Sequence, residues 1–452
     1  MIMRVLLLLA GLIALIVAPQ RSFAQASGVP PQDEAQTPTN SSSAPPPANA
    51  PDATKAPPNP NLEDTIEAGE SDAEPKRQLV RWNQYEGPYF TIRAGGGFLF
   101  ETGAYAQDDQ SKEQFVLTPE QKIRDVRVLL SGKFPSFERA ITWSAGLMYD
   151  APTHSWFIRQ TGIMVAVPEL WGHIFVGRAK EGFSLNKVMA GYDGWTMERS
   201  TMNDATIPLL ADGFKWLGNS PKNRFLWNLG YFNDLLSKGQ SFSSYSSQEV
   251  ARFIWLPIRS ESKDRLLHLG VNLRYGKPVD DKLRLKSRPE AFPAPYFLDT
   301  GTFDAKSTTM AGYEVYYRPG SWLFGSEYWF EKVSSPSRGD LLFHGGDIAA
   351  TWLVTGETRP YNMVGGYFKS VSPARPVFEG GPGAWELVLR YSYTDLDSRT
   401  VQGGKFGRIT PMVNWYLSDH VRMEFAYGYG HLDRFDLKGN TQFFQTRLQL
   451  QL

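Results

Sequence analysis

The sequence predicts an all-β protein: a transmembrane antiparallel β-barrel of about 16 strands, preceded by a disordered Pro-rich segment. Three observations carry this. From Pro88 onward the chain repeats units of roughly ten residues that alternate apolar and polar and end in Gly, Pro, Asp, Asn or Ser, the period-2 signature of half-exposed strands. The apolar faces are rich in Trp and Tyr while the opposite faces carry Arg, Glu and Gln, the reverse of a soluble core. After the N-terminal region no run of 18 apolar residues occurs and the mean hydropathy is negative, which excludes a helical membrane bundle.

In chain order, Arg4 precedes an apolar run of 13 residues, Val5 to Val17, followed by Ser22-Phe23-Ala24. This is the pattern of a signal peptide over residues 1–24, too short to span a bilayer, cut after Ala24. Residues 25–80 are dominated by Pro, Ala, Ser, Asn and acidic side chains, with Pro45-Pro46-Pro47 and Pro57-Pro58, and read as a disordered linker. The barrel is expected over residues 81–452. The chain has no cysteine, so an exported form gains nothing from disulfides. Of 47 basic and 47 acidic residues, 5 and 9 fall in residues 1–80, leaving 42 against 38 and a mildly basic +4 in the folded part, with no nucleic-acid-binding character.

Strands are expected near 89–106, 123–133, 140–149, 155–166, 171–181, 225–234, 248–258, 266–277, 282–288, 304–318, 321–333, 341–355, 384–395, 404–417, 420–432 and 442–452. In 267–275, Leu267, Leu269, Val271, Leu273 and Tyr275 alternate with His268, Gly270, Asn272 and Arg274. In 421–429, Val421, Met423, Phe425, Tyr427 and Tyr429 alternate with Arg422, Glu424 and glycines. A soluble β-sandwich alternates too, and what separates the two is the aromatic apolar face against a charged one. Gaps at about 182–224 and 356–383 are either functional loops or hide a strand. The first, with Met197-Glu198-Arg199-Ser200 and Asp212-Gly213-Phe214-Lys215, is the candidate constriction, with an external loop as the alternative.

Lys282, Arg284, Lys286 and Arg288, read as a strand, line one face about 6.6 Å apart, with Leu283 and Leu285 on the other. Rungs at that spacing fall within the Debye length of about 8 Å, so an anion between two of them feels both, which suits hand-over more than storage. Arg127, Arg274 and Arg390 on strand segments, and Arg199 and Lys215 in the long gap, complete the candidate anion-pathway residues. The competing reading pairs these cations with carboxylates: Glu314, Glu327, Glu386 and Glu424 on polar faces, and Asp280, Asp281 and Glu290 beside the ladder. His268 and His344 lack a Ser or carboxylate at a recognisable spacing, no metal-ligand spacing appears, and no cofactor is expected. A barrel hydrolase is therefore the remote alternative, and a general non-selective pore the nearer one.

Several blocks resemble the phosphate-selective porin O and P family of Gram-negative outer membranes. They are Phe175-Val176-Gly177-Arg178-Ala179-Lys180-Glu181-Gly182-Phe183, Glu198-Arg199-Ser200, the run from Leu283 through Arg288-Pro289-Glu290 to Asp299-Thr300-Gly301, Thr355-Gly356-Glu357, Gly383-Ala384-Trp385-Glu386-Leu387 with Arg390-Tyr391, and Asn414-Trp415-Tyr416-Leu417. They stand in family order across about residues 88–452. The resemblance implies a sixteen-stranded homotrimer in outer-membrane lipid that passes small anions, phosphate or polyphosphate, past lumenal Arg and Lys. Three features depart from the family pattern: the terminal Leu452 in place of an aromatic residue, Asp125 between Arg124 and Arg127, and the Pro-rich linker.

Overall fold

The computed structural model describes residues 83–150, 154–235, 244–260 and 264–452, so the expected signal peptide and linker lie outside the described residues. Sixteen strands form one antiparallel meander. They are β1 Thr91–Gln107, β2 Glu120–Lys133, β3 Ile141–Asp150, β4 Ser155–Val167, β5 Gly172–Ala179, β6 Ala211–Ser220, β7 Phe225–Asn233 and β8 Tyr245–Ser260. The second half comprises β9 Arg265–Pro278, β10 Ser307–Pro319, β11 Trp322–Ser335, β12 Gly339–Leu353, β13 Ala384–Ser398, β14 Val401–Tyr416, β15 Val421–Arg434 and β16 Leu437–Gln451. The sheet closes on itself through β16 and β1, with Phe98 opposite Leu450 and Phe100 opposite Leu448.

The alternation sorts as expected. In β9, Leu267, Leu269, Val271, Leu273 and Tyr275 point out while Leu266, His268, Asn272 and Arg274 are buried inside. Outward Trp322 and Trp352 stack at 5.1 Å, and Trp385 and Trp415 at 4.9 Å. Both pairs lie at the end of the barrel where β1 begins and β16 finishes, forming a girdle there.

Fifteen of the sixteen expected segments coincide with a barrel strand, and one does not. The segment 282–288 is not part of the wall. It lies in the connection 279–306, where Lys282–Leu283 pairs with Phe303–Asp304 and Lys286–Ser287 with Leu298–Asp299 in a narrow ribbon. Its period-2 pattern is genuine, because Leu283 and Leu285 enter a core cluster with Phe297, Phe343 and Phe406 while the cations face away. The sixteenth wall strand is β6, inside the gap at 182–224. Gly213, Gly218, Asn219 and Ser220 dilute its pattern to little more than Phe214 and Trp216 outside and Lys215 inside.

Three long connections fold into the barrel. Segments 180–210 and 279–306 enter from one end, and 354–383 enters from the end that carries the girdle and both strand termini. Buried carboxylates on the wall fasten them. Glu327 accepts from the Asn186 amide at 2.9 Å and from the Ser184 hydroxyl. Glu386 accepts from Arg359 at 2.8 and 2.9 Å, and Arg359 also donates to the Asp193 carbonyl at 3.0 Å, joining two of the inserted segments. Arg252 is held by Glu314 and donates to the carbonyls of Gly365 and Gly366 at 2.9 and 2.7 Å.

Two outcomes test this arrangement. Gly177 adopts φ +142°, and a Cβ there would meet the Thr161 carbonyl oxygen at 2.2 Å. Gly177→Val should cost at least about 1–3 kcal/mol and deplete the compact, heat-modifiable band in SDS gels; Gly320→Asn, at φ +65° with open space around it, should leave that band intact. Arg359→Met leaves Glu386 buried and uncompensated at a cost of about 3–5 kcal/mol. It should expose segment 354–383 to limited proteolysis while the barrel survives, and unchanged cleavage would place the anchor elsewhere.

Candidate functional site

The ribbon at 282–288 keeps its four cations on the water side. Lys282 and Arg284 are exposed, and Lys286 and Arg288 half-buried. Its backbone is tied to the return strand by Phe297 N–H to Ser287 O at 3.1 Å and Thr300 N–H to Leu285 O at 2.9 Å. The fate of the four charges differs. Arg284 is matched by Asp299 through bonds of 2.8 and 2.5 Å, and the guanidinium holds the Asp299 carboxyl below the usual carboxylate range. Among the described residues Lys282, Lys286 and Arg288 have no carboxylate within salt-bridge distance. Lys286 lies 4.4 Å from the Tyr296 ring centre; Arg288 lies 4.6 Å from the same ring and 5.3 Å from Phe292. Glu314 and Glu290, the expected competitors, are engaged elsewhere: Glu314 by Arg252 and His268, Glu290 by Arg390.

Deeper in, Arg124 meets the ladder. Strict alternation would turn it outward, but the pairing of β1 with β2 skips it: Leu99 faces Asp125 and Phe100 faces Ile123. This bulge swings Arg124 into the lumen, over the Phe292 ring at 4.6 Å and onto Glu198 at 2.8 and 3.2 Å. Burial alone would raise the Glu198 carboxyl, yet Arg124 and Arg447, the latter at 2.5 Å, outweigh it and hold the group at about 2. Arg199, one residue on, is fixed by backbone carbonyls, Asn186 at 2.6 Å and Met189 at 2.7 Å, so its charge has no contacting carboxylate among the described residues. Lys187 donates to the Ile207 carbonyl at 2.9 Å, and burial, with Arg199 nearby, pushes its ammonium down to about 7.

The other expected pathway cations serve as fasteners. Arg127 is bound to Asp125 and stacks on Tyr192 of the inserted segment at 4.4 Å. Arg274 pairs with Glu181 at 3.1 Å and donates to Gln248 and to the Thr206 carbonyl. Arg390 binds Glu290 and the Glu198 carbonyl, the latter at 2.8 Å. Lys215 is buried over Phe175 at 5.1 Å. Arg199 thus joins the ladder and Arg124 in one electropositive group, while Arg127, Arg274, Arg390 and Lys215 do not extend it as exposed rungs. Sequence reasoning missed Arg124, which only the bulge reveals, and Phe292 and Tyr296, whose spacing carries no strand signal. It also passed over Arg408, Arg422 and Arg447, although the inward parity of β14, β15 and β16 indicates all three.

The histidines support no nucleophilic site. His268 is fully buried between Glu314 at 2.8 Å and the Tyr361 hydroxyl at 2.7 Å. His344 lies on the outer face against Tyr328.

A family model described as phosphate-selective porin O and P matches residues 101–452. Among curated proteins, Porin O of Pseudomonas aeruginosa is 27% identical over 192 residues, 36% of this chain and 43% of that one. An uncharacterized protein of Caulobacter vibrioides is 29% identical over 166 residues, 36% of this chain and 33% of that one. The matches therefore span less than half the length of these relatives. In fold, the chain is similar to the outer membrane channel DcaP of Acinetobacter baumannii, with a TM-score of 0.51, 9% identity and coverage of 81% of this chain and 99% of that one. It is also similar to OmpT of Vibrio cholerae, at 0.50, 14%, 82% and 100%. With the family match running through most of the barrel, this chain belongs to the phosphate-selective porin O and P family.

Proposed function

We propose that the chain forms an aqueous channel through the outer membrane of a Gram-negative cell for passive uptake of small phosphate-like anions, exported by residues 1–24 and assembled as a homotrimer. The carrying observation is that, among the described residues, Lys282, Lys286 and Arg288 have no carboxylate within salt-bridge distance, while Asp299 beside them is committed to Arg284 and Glu290 to Arg390. An anion leaving water finds uncompensated donors at successive rungs, none of them enclosing it, so it is attracted and released. The girdled end, where most turns are short and both strand termini lie, is the periplasmic one. The ribbon 282–288 then stands at the outer mouth and Arg124 and Arg199 further in. The segment 180–210, tied to β11 by Glu327 and to β13, β15 and β16 by Arg390, Arg422 and Gln449, supplies the constriction. A channel reading is preferred to a hydrolase because no Ser, Thr or Cys bonds to a lumenal histidine among the described residues. The dense pairing of the remaining lumenal charges favours a non-selective pore as the second reading.

Reversal potentials in planar bilayers test the reading: chloride should permeate better than potassium, and added phosphate should reduce chloride current. A unit charge about 7 Å away in water is worth about 0.6 kcal/mol, roughly threefold. Lys286→Gln with Arg288→Gln should therefore lower the anion-to-cation ratio by up to about tenfold, and Glu198→Gln should raise it. Cation preference in the wild type, or no effect of phosphate, sinks the proposal. The ammonium of Lys187, with Arg199, Asp204, Glu181 and Arg274 around it, is charged below about pH 7 and neutral above. Anion preference should accordingly fall as pH rises from 6 to 8, and Lys187→Met should flatten that step.

A further inference from the structure

We propose that Phe292 and Tyr296 are positioning residues of the cation ladder, the rings seating Lys286 and Arg288 without cancelling their charge. This rests on the anion-channel reading above. The contacts form an alternating series from the mouth inward: Lys286, Tyr296, Arg288, Phe292, Arg124. Lys286 Nζ lies 4.4 Å and Arg288 Cζ 4.6 Å from the Tyr296 centroid, while Arg288 Cζ lies 5.3 Å and Arg124 Cζ 4.6 Å from that of Phe292. Two rings thus link the ladder cations Lys286 and Arg288 on the inserted ribbon to Arg124 of the bulged β2, which is itself paired with Glu198.

A conducting anion site must order flexible Lys and Arg side chains and still leave their charge available. A carboxylate partner orders them and neutralises them, as Asp299 does for Arg284. The face of an aromatic ring attracts a cation through its quadrupole and carries no net charge. A guanidinium lying over a ring keeps its N–H edge directed outward, where an oxyanion binds. Arg288 donates to the Ala294 carbonyl at 2.5 Å, leaving its other donors without a carboxylate among the described residues.

The local chain is built to hold the rings in place. Glu290 sits at φ +60°, and its amide donates to the Arg288 carbonyl at 2.8 Å, reversing the chain so that 292–296 returns over 286–288. Pro293 and Pro295 restrict the segment between the rings, and Lys122 of β2 donates to the Pro293 carbonyl at 2.9 Å. Tyr296 remains 36% exposed, too open for a ring whose purpose is apolar burial.

The test uses the full-length channel in planar bilayers with chloride and inorganic phosphate as probes, comparing wild type with Phe292→Leu, Tyr296→Leu, Phe292→Tyr and Tyr296→Phe. The leucine variants should fold to heat-modifiable barrels yet lose about two- to fivefold in anion-to-cation ratio and need about two- to fivefold more phosphate to half-block chloride current, as expected from a weakened ring contact. The ring-conserving variants should match wild type. Leucine variants equal to wild type overturn the proposal, as do Tyr and Phe exchanges as damaging as leucine. If the wild type shows no anion preference, the channel reading fails on its own. The positioning role is then decided by a crystal structure of the Tyr296→Leu protein: displaced Lys286 and Arg288 side chains support it, and unmoved ones overturn it.

Discussion

In hydrocarbon an unpaired backbone N–H or C=O costs several kcal/mol, so a sheet that crosses a bilayer must close, and the pairing of Phe98 with Leu450 across β1 and β16 does so. Closure then dictates where everything else goes. Each strand has one face toward lipid and one toward the interior, and with Trp, Leu and Tyr on the first face, polar side chains fill the second. The result is a barrel whose exposed residues are apolar and whose buried ones include Glu101, Arg252, Glu314, Glu386, Arg422 and Glu424.

A charged interior has to be compensated locally, because solvation by bulk water is limited there. In this barrel compensation and architecture are one device. The wall carboxylates Glu327 and Glu386 and the wall cations Arg252, Arg274 and Arg390 are the points to which the three inserted segments are tied. Those segments in turn bring in the apolar side chains that pack the lumen, among them Phe183, Met202, Leu283 and Phe297. Most lumenal charges are thereby spent on holding the segments in place. The ribbon at 282–288 is the exception: it is anchored through its leucines and its backbone rather than its cations. That leaves Lys282, Lys286 and Arg288 available, and two rings serve where carboxylates would otherwise stand.

The gain from the inserted segments is geometrical. A ladder on a barrel strand would run at the tilt of the wall and sit flush against it. A ladder on a separate ribbon stands away from the wall and can bring its cations opposite Arg124, which the bulge in β2 turns toward it. Arg199, fixed by carbonyl oxygens alone, adds a charge from a third element. The electropositive group therefore draws on a wall strand, a ribbon and a second inserted segment that lie far apart in the chain.

The sequence by itself determined the barrel, its strand directions and nearly all its faces, because a period of two between lipid and lumen is a local property written into each strand, as in Val421 to Tyr429. It determined as well that Lys282 to Arg288 alternates. What it could not determine is what lies opposite an alternating segment. Residues 282–288 and 211–220 exchange roles for that reason: the first alternates against a packed core, and the second belongs to the wall although its glycines weaken the signal. The turning in of Arg124, the commitment of Glu314 to Arg252 and His268, and the seating of Arg288 between Phe292 and Tyr296 are contacts between distant parts of the chain. Only the closed tertiary structure decides them, because which charges stay unpaired depends on which partners arrive within a few ångströms and not on the pattern of any one strand.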